Sequence, residues 1–367
     1  MQAAFFKIAN ILPIEDAVSY LKEAAAESYM KQGQKVVDMN FAAIDRGVRD
    51  LVRVAVKEEW KTAEDEATRP DPDIPAFVRD VVLPVTAQKG DSLPVGVFRG
   101  YERGFMPFGT TQWEKRGVAS HVPVWDAAKC IQCNQCSFIC PHAAIRPLLV
   151  GEGEAAGAPE GFRTVPAKGF AGMGFHLSIS VLDCAGCGGC VNVCPAPETA
   201  LSMKPLDAVR ERGAALWTFA SKRISYKPLS EEQIKTVKGS QFARPLLEFS
   251  GACAGCGETP YVKLLTQLFG DRMVVVNTAG CTAVWGGSFP SIAYRANERG
   301  HGPAYGYSLF EDCSEYGLGI FLGARQNREL LALQMKDALQ KDLDSDLKKT
   351  MIDWMENREE TSAARSR

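Results

Sequence analysis

Eight of the chain's twelve cysteines fall into two runs of identical spacing. Cys130, Cys133, Cys136 and Cys140 form C-x2-C-x2-C-x3-C, and Cys184, Cys187, Cys190 and Cys194 repeat it, each run closing on a proline. No other feature restricts the fold as much. Two-residue gaps let one tight loop set three thiolates at three corners of a [4Fe–4S] cube, while the fourth cysteine points elsewhere and serves the neighbouring cube. The spacing therefore predicts crossed ligand sets, Cys130, Cys133, Cys136 and Cys194 for one cluster and Cys184, Cys187, Cys190 and Cys140 for the other. The glycines of CAGCGGC allow positive φ, which turns backbone N–H groups toward sulfur. Zinc knuckles are the lesser alternative, since they pair their cysteines instead of setting a triplet with an offset fourth. Disulfides are disfavoured for crowded thiols in a reducing compartment.

The rest of the composition is that of a protein with real cores. Hydrophobic residues make up 46% and charged residues 23% of 367 residues, a length that suggests two to four domains. With 42 basic against 44 acidic residues the net charge is −2, which argues against a general nucleic-acid or anionic-membrane binder. MQAAFFKIANILPIEDAV lacks the basic region of a signal peptide, and no run reaches the roughly 18 apolar residues of a membrane span. A cytoplasmic location is the expectation, and metal or redox chemistry the natural use of so many thiols there.

Periodicity predicts a helix over 14–31 with Ile14, Val18, Leu21 and Ala25 on one stripe, opened by Pro13 and stopped near Gly33. A second stripe runs through Phe41, Ile44, Val48, Leu51 and Ala55, giving a helical hairpin. PDPDIP at 70–75 reads as a linker, and 76–128 as a small irregular domain of β-prone pieces such as LPVGVF. A helical and loop connector follows the cysteine region, and an α/β pattern begins at 246. There Thr259 and Pro260 suggest an N-cap and first helical position, with a helix through Val262, Leu265 and Phe269 ending at Gly270. MVVVNTAG reads as a buried strand entering a glycine turn, Ser308 and Glu311 as a capping box, and TSAARSR as a polar tail.

Four cysteines lie outside the twin runs. Cys253 and Cys256 sit in GACAGCGETP and Cys281 in NTAGCTAVWGG, glycine-flanked loops that can meet at the carboxyl edge of a sheet. Three thiolates fall one short of a cubane set, and a zinc site or a redox C-x-x-C pair also suits them. Cys313 is the local candidate for a fourth ligand, but with Leu309, Tyr316, Gly317 and Ile320 it forms a core-facing stripe, so a buried structural cysteine is the expectation.

In combination these segments resemble the pyruvate:ferredoxin (flavodoxin) oxidoreductase family. The stretches that carry the resemblance are AFFKIANILPIEDAV, the EKRG of Glu114 to Gly117, the double cysteine run, EFSGACAGCGETPYVKLLTQLFGDRM and NTAGCTAVWGGSFPSIAYRANERGHGPAYGYSLFEDCSEYGLG. The resemblance implies an α+β multidomain chain: 1–69, the helical end of a larger CoA-associated domain; 70–120, a linker domain with the EKR motif; 121–245, a ferredoxin-like two-cluster domain; and 246–367, part of an α/β thiamine diphosphate-binding domain. It implies a third [4Fe–4S] cluster on Cys253, Cys256 and Cys281, incompletely ligated here, with Glu258 and Cys281 at the thiamine diphosphate and its magnesium. The family's reaction converts pyruvate and CoA to acetyl-CoA and delivers electrons to ferredoxin or flavodoxin, in a homodimer. The GDG stretch that holds magnesium and diphosphate does not occur in this sequence, so the chain is expected to be the electron-transfer portion, inactive alone. The other expectation is a free-standing polyferredoxin-like carrier.

Overall fold

The computed structural model describes residues 1–63, 73–308, 310 and 312–357. It divides into two units, Met1–Arg69 and Pro70–Arg367. The first is built from α1 (Gln2–Ala9), α2 (Ile14–Tyr29) and α3 (Gln34–Arg49), each packed on the other two. Gly33 makes the corner between α2 and α3 at φ 101°. Small residues let the helices approach: Ala3 and Ala17 are buried, and a Cβ added at Gly47 would stand 3.3 Å from that of Ala3. The expected helical pair is therefore a trio. Its second stripe is shorter than expected, because α3 stops at Arg49, where Arg46 and Arg49 both pair with Asp50. Leu51 and Ala55 lie exposed beyond that point, in a run whose alternating valines disfavour helix.

Of the linker PDPDIP, residues 70–72 lie outside the described residues. Beyond it Phe77 buries itself together with Val78, Val81 and Val82 of the wide π-helical turn Val78–Val82, which runs into α4 (Leu83–Thr86). Pro84 brings no N–H to this helix, and the wide turn accommodates it. The β-prone reading of this region is corrected. Val95–Phe98 forms a 3-10 turn entered through Pro94, since a strand needs a partner edge and this stretch pairs with none among the described residues.

The cysteine region runs β1 (His121–Trp125), α5 (Gln135–Ile139), β2 (Ile145–Val150), β3 (Val165–Pro166), β4 (Gly174–Ile179), α6 (Gly189–Asn192) and β5 (Leu201–Pro205). Strand, cysteine loop, short helix and strand thus occur twice. β1 pairs antiparallel with β5, β2 with β4, and β3 covers the far edge of β4. Each half therefore pairs its strands with the other half, the ferredoxin-like arrangement expected. Ile145, Leu149, Phe175, Leu177 and Leu201 fill the core, closed by Trp217 of α7 (Arg210–Arg223).

Two short helices, α8 (Glu231–Ile234) and α9 (Val237–Ser240), lead to α10 (Thr259–Phe269), β6 (Val274–Asn277), α11 (Cys281–Gly286), β7 (Ala304–Tyr307), α12 (Cys313–Ala338) and α13 (Ser345–Asn357). β6 and β7 pair in parallel. Several expectations change here. Glu258, not Thr259, is the N-cap of α10, which does end at Gly270. Its apolar stripe is not the core face: Leu265 and Phe269 are exposed, while Thr259, Lys263, Thr266 and Gln267 are buried. The reason is what lies opposite, a set of backbone groups that need polar partners. The Leu246 N–H donates to Thr266 Oγ1 at 3.1 Å, and Gln267 donates to the Ala243 carbonyl at 2.8 Å. β6 is only half-buried, with Val274 55% exposed. Glu311 lies outside the described residues; the N-cap of α12 is Asp312, which accepts from Ser308 Oγ at 2.6 Å. Cys313 opens α12 and is exposed rather than core-facing. Tyr316 and Gly317 are half-buried, Ile320 is exposed, and Leu309 lies outside the described residues. The tail from 358 onward also falls outside them. Among the described residues no helix is long and apolar enough to cross a membrane.

Candidate metal centres

Two small cavities of matching size open within the ferredoxin-like region. Cys130, Cys133, Cys136 and Cys194 line the first, with Trp125, Phe175 and Leu177 behind them. Cys140, Cys184, Cys187 and Cys190 line the second, with Pro123, Ile145 and His142. Each cavity takes three thiols from one run and the fourth from the other, because the β1–β5 and β2–β4 pairings bring the end of each run beside the loop of the other. Among the described residues no three His, Cys, Asp or Glu side chains converge on a single ion. Thiols spread around a cavity suit a polynuclear cube, in which each thiolate meets its own iron, better than one tetrahedral zinc. The donor set fits [4Fe–4S] clusters.

The two loops reach this shape by the same turns made from different residues. Gln132 and Asn134 stand at φ 62° in the first loop, and Gly186 and Gly188 at 71° and 74° at the same offsets in the second. A side chain in that region costs roughly 1–2 kcal/mol, and here hydrogen bonds hold it. Gln132 donates to the Pro166 carbonyl and accepts from the Lys168 N–H, both at 2.8 Å, and Asn134 donates to the Lys238 carbonyl at 2.8 Å. Gly186 has no such freedom, since a Cβ there would stand 3.0 Å from the His121 carbonyl oxygen. Its N–H points at Cys184 Sγ, 3.4 Å away.

Burial pushes the Cys184 thiol up to about 11 and the Cys190 thiol up to about 12, with further repulsion from their cavity partners. Burial likewise raises Cys136, which also senses Cys190, so the two cavities adjoin. Such thiols stay protonated until a cation replaces their protons, which makes metal uptake a proton-releasing step. His142, at the second cavity, is held neutral by burial and hydrogen-bonds the Ser250 carbonyl through Nδ1 at 3.1 Å. That contact ties the second cavity to the loop carrying Cys253.

The third cysteine group is differently placed. Cys253 and Cys256 share one turn, in which the Cys256 N–H donates to the Cys253 carbonyl at 3.1 Å. Partial burial would raise the Cys256 thiol, but the N–H groups of Thr259 and Glu258 at the start of α10 bring it below the ordinary thiol range. A Cβ on Gly255 would lie 3.6 Å from that of Cys187, so this turn rests on the second cavity's wall. Cys281 is exposed at the start of α11. That helix connects to Glu258 through Trp285, whose Nε1–H donates to Glu258 Oε2 at 3.3 Å.

The EKRG segment meets the same neighbourhood. Lys115, at φ 43°, donates to Asp183 Oδ2 at 2.6 Å, next to Cys184, and lies 4.7 Å from the Phe249 ring centre. Asp183 also accepts from Ser180 Oγ at 2.5 Å. Burial nevertheless keeps Asp183 above the usual carboxylate range. Arg116 pairs with Glu114 and lies against Gly251.

Several of these residues carry no motif. Lys263 is 2% exposed and donates to the carbonyls of Ser137, Phe138 (3.2 Å) and Cys140 (3.4 Å). Burial drives it down to about 8. Glu248, fully buried, pairs with Arg146 and Arg295, joining β2 to the segment before β7. The one available signal was the polar repeat Thr259, Lys263, Thr266, Gln267 at helical spacing, which reads as a solvent face until its neighbours are known.

Comparisons with known proteins agree with this geometry. Residues 129–197 match the family model of the 4Fe-4S dicluster domain, and residues 63–119 that of EKR, a domain of unknown function. The fold and the paired cavities thus define a two-cluster iron–sulfur module. Over its whole length the chain is 50% identical to the pyruvate-flavodoxin oxidoreductase of Enterobacter agglomerans and 46% identical to the pyruvate:ferredoxin oxidoreductase of Moorella thermoacetica, covering 31% of each. It is 41% identical, over 94% of its length, to a pyruvate dehydrogenase [NADP(+)] of Cryptosporidium parvum, of which it covers 19%. The chain corresponds to a portion of the pyruvate-flavodoxin and pyruvate:ferredoxin oxidoreductases and spans about a third of the length of these two relatives.

Proposed function

We propose that this chain is the electron-transfer portion of a pyruvate:ferredoxin or pyruvate:flavodoxin oxidoreductase. Cys130, Cys133, Cys136 and Cys194 hold one [4Fe–4S] cluster, and Cys184, Cys187, Cys190 and Cys140 hold the other. The observation that carries the reading is the exchange of fourth cysteines between two adjoining four-thiol cavities. Bound clusters of this kind supply one-electron storage at low potential with little rearrangement. The chain's own residues hold the thiols in place through paired strands and left-handed turns. Trp125, Phe175 and Leu177 line the first cavity and limit its contact with water, and the N–H of Gly186 favours charge on Cys184.

Cys253, Cys256 and Cys281 are the proposed protein ligands of a third cluster, with Glu258 beside thiamine diphosphate and its magnesium, in residues 246–367 as the start of an α/β domain whose diphosphate-binding elements come from elsewhere in the enzyme. Support comes from the turn of Cys253 and Cys256 lying against Cys187, and from the Glu258–Trp285 bond to the helix that begins at Cys281. Pyruvate and CoA are the proposed substrates of the complete enzyme, and ferredoxin or flavodoxin its acceptor. Anaerobic reconstitution of this chain should load about eight iron and eight sulfide into the twin cavities, with EPR signals of two interacting clusters on reduction. Pyruvate-dependent reduction of a viologen dye should be undetectable. Loading with zinc, or colourless material, would overturn the ligand assignment, and dye reduction by this chain alone would overturn the division of labour.

A further inference from the structure

We propose that Lys263 is a charge-balancing residue shared by the two thiol cavities, a buried ammonium that raises the electron affinity of both clusters; the inference rests on the iron–sulfur reading above. Its position is set from two sides. α10 presents a polar face, in which Thr266 bonds the backbone at Leu246 and Gln267 bonds Gln241, itself bonded to Ser137. This register brings Lys263 Nζ to the carbonyls of Ser137, Phe138 and Cys140, the stretch of chain that separates Cys136 of the first cavity from Cys140 of the second.

No carboxylate answers this charge: among the described residues Lys263 forms no ion pair. The other buried cation nearby, Arg146, has its own partner in Glu248, whereas Lys263 Nζ meets only backbone carbonyls of the first cysteine run. An unpaired ammonium is expensive to bury, and carbonyl dipoles offset only part of that cost. Iron–sulfur cubes carried by thiolates are anionic and gain a further negative charge on reduction. A fixed cation beside one ligand of each set is the natural counter-charge, and it favours the reduced form of both. Little water intervenes to screen it.

A purely structural role is the competing account, since a lysine also satisfies the last carbonyls of a helix such as α5. Two variants of the full chain separate the accounts. Lys263→Gln keeps a donor for the carbonyls and loses the charge; Lys263→Arg keeps the charge. Each is reconstituted anaerobically, its iron and sulfide counted, and its clusters titrated under EPR with redox mediators. The expected result for Lys263→Gln is a full iron complement and, in both clusters, a fall of at least about tenfold in the equilibrium constant for one-electron reduction, that is about 59 mV toward negative potential. Lys263→Arg should titrate close to the native protein. A loaded Gln variant with unchanged potentials, or a shift in one cluster alone, overturns the proposal. If the Gln variant takes up no iron, a loaded Arg variant with native potentials supports it, and failure of both overturns it in favour of side-chain shape. Failure of the native chain to load iron would instead remove the iron–sulfur reading itself.

Discussion

The twin cavities and the third cysteine loop begin alike and end differently. In all three, the residue two positions after the first cysteine is left-handed: Gln132 at 62°, Gly186 at 71°, Gly255 at 74°. In the twin runs the residue two further on repeats the turn, Asn134 at 62° and Gly188 at 74°, whereas Gly257 is not among the left-handed residues. The twin loops are then closed by strands from the opposite half, and Cys140 and Cys190 are buried; Cys253 and Cys281 remain exposed. A C-x-x-C turn is thus a local product, and a cage is not. Enclosing a cluster takes walls that only distant chain can bring.

The sharpest way to break this comparison is to remove ligands in pairs. With the crossed ligand sets proposed above, Cys136→Ala with Cys194→Ala should cost no more iron than Cys194→Ala alone, about half the total. Cys190→Ala with Cys194→Ala, two cysteines of one run, should cost both clusters. The reverse pattern in iron counts and EPR would mean that each run serves its own cube.

A smaller effect tests the EKRG strap on the second loop. Lys115→Met leaves the Asp183 carboxylate buried without its cation, and should lower stability by about 2 kcal/mol in urea unfolding, less than a fully buried pair because Lys115 is partly exposed. Adding Asp183→Asn should recover most of that loss. An unchanged unfolding midpoint in Lys115→Met would show that the strap contributes nothing.

The smallest effect concerns reactivity. Because the start of α10 holds the Cys256 thiol below its ordinary range, its thiolate is populated at lower pH than that of a free cysteine. Its alkylation by iodoacetamide should therefore reach half its limiting rate below the ordinary thiol value, while the eight cavity cysteines of the iron-loaded chain stay protected. Mass spectrometry of peptides after graded labelling reads both, and equal labelling of Cys256 and Cys190 in loaded protein would erase the distinction.

Much of the candidate site is legible in the sequence. The repeat of spacing singled out the eight cysteines that the fold gathers around two cavities, since the steric demands of a cube act within a few residues. The same local logic foresaw the glycine turns, the corner at Gly33 and the end of α10 at Gly270. It misplaced what depends on partners. Cys313 was expected in a core and is exposed, and the valines of LPVGVF make a 3-10 turn without a strand to pair with.

Residue types and their spacing were sufficient to mark out the eight thiols that line the two cavities, because the spacing of thiols along one loop is a short-range constraint written into loop length. Tertiary structure alone decided that α10 buries its lysine and glutamine and exposes its leucine, that Asp183 meets Lys115, and that the turn of Cys253 rests on Cys187. Burial is a property of what stands opposite. Across from α10 stand carbonyls of the first cysteine run together with the backbone groups of Ala243 and Leu246, and a polar face is what such groups demand.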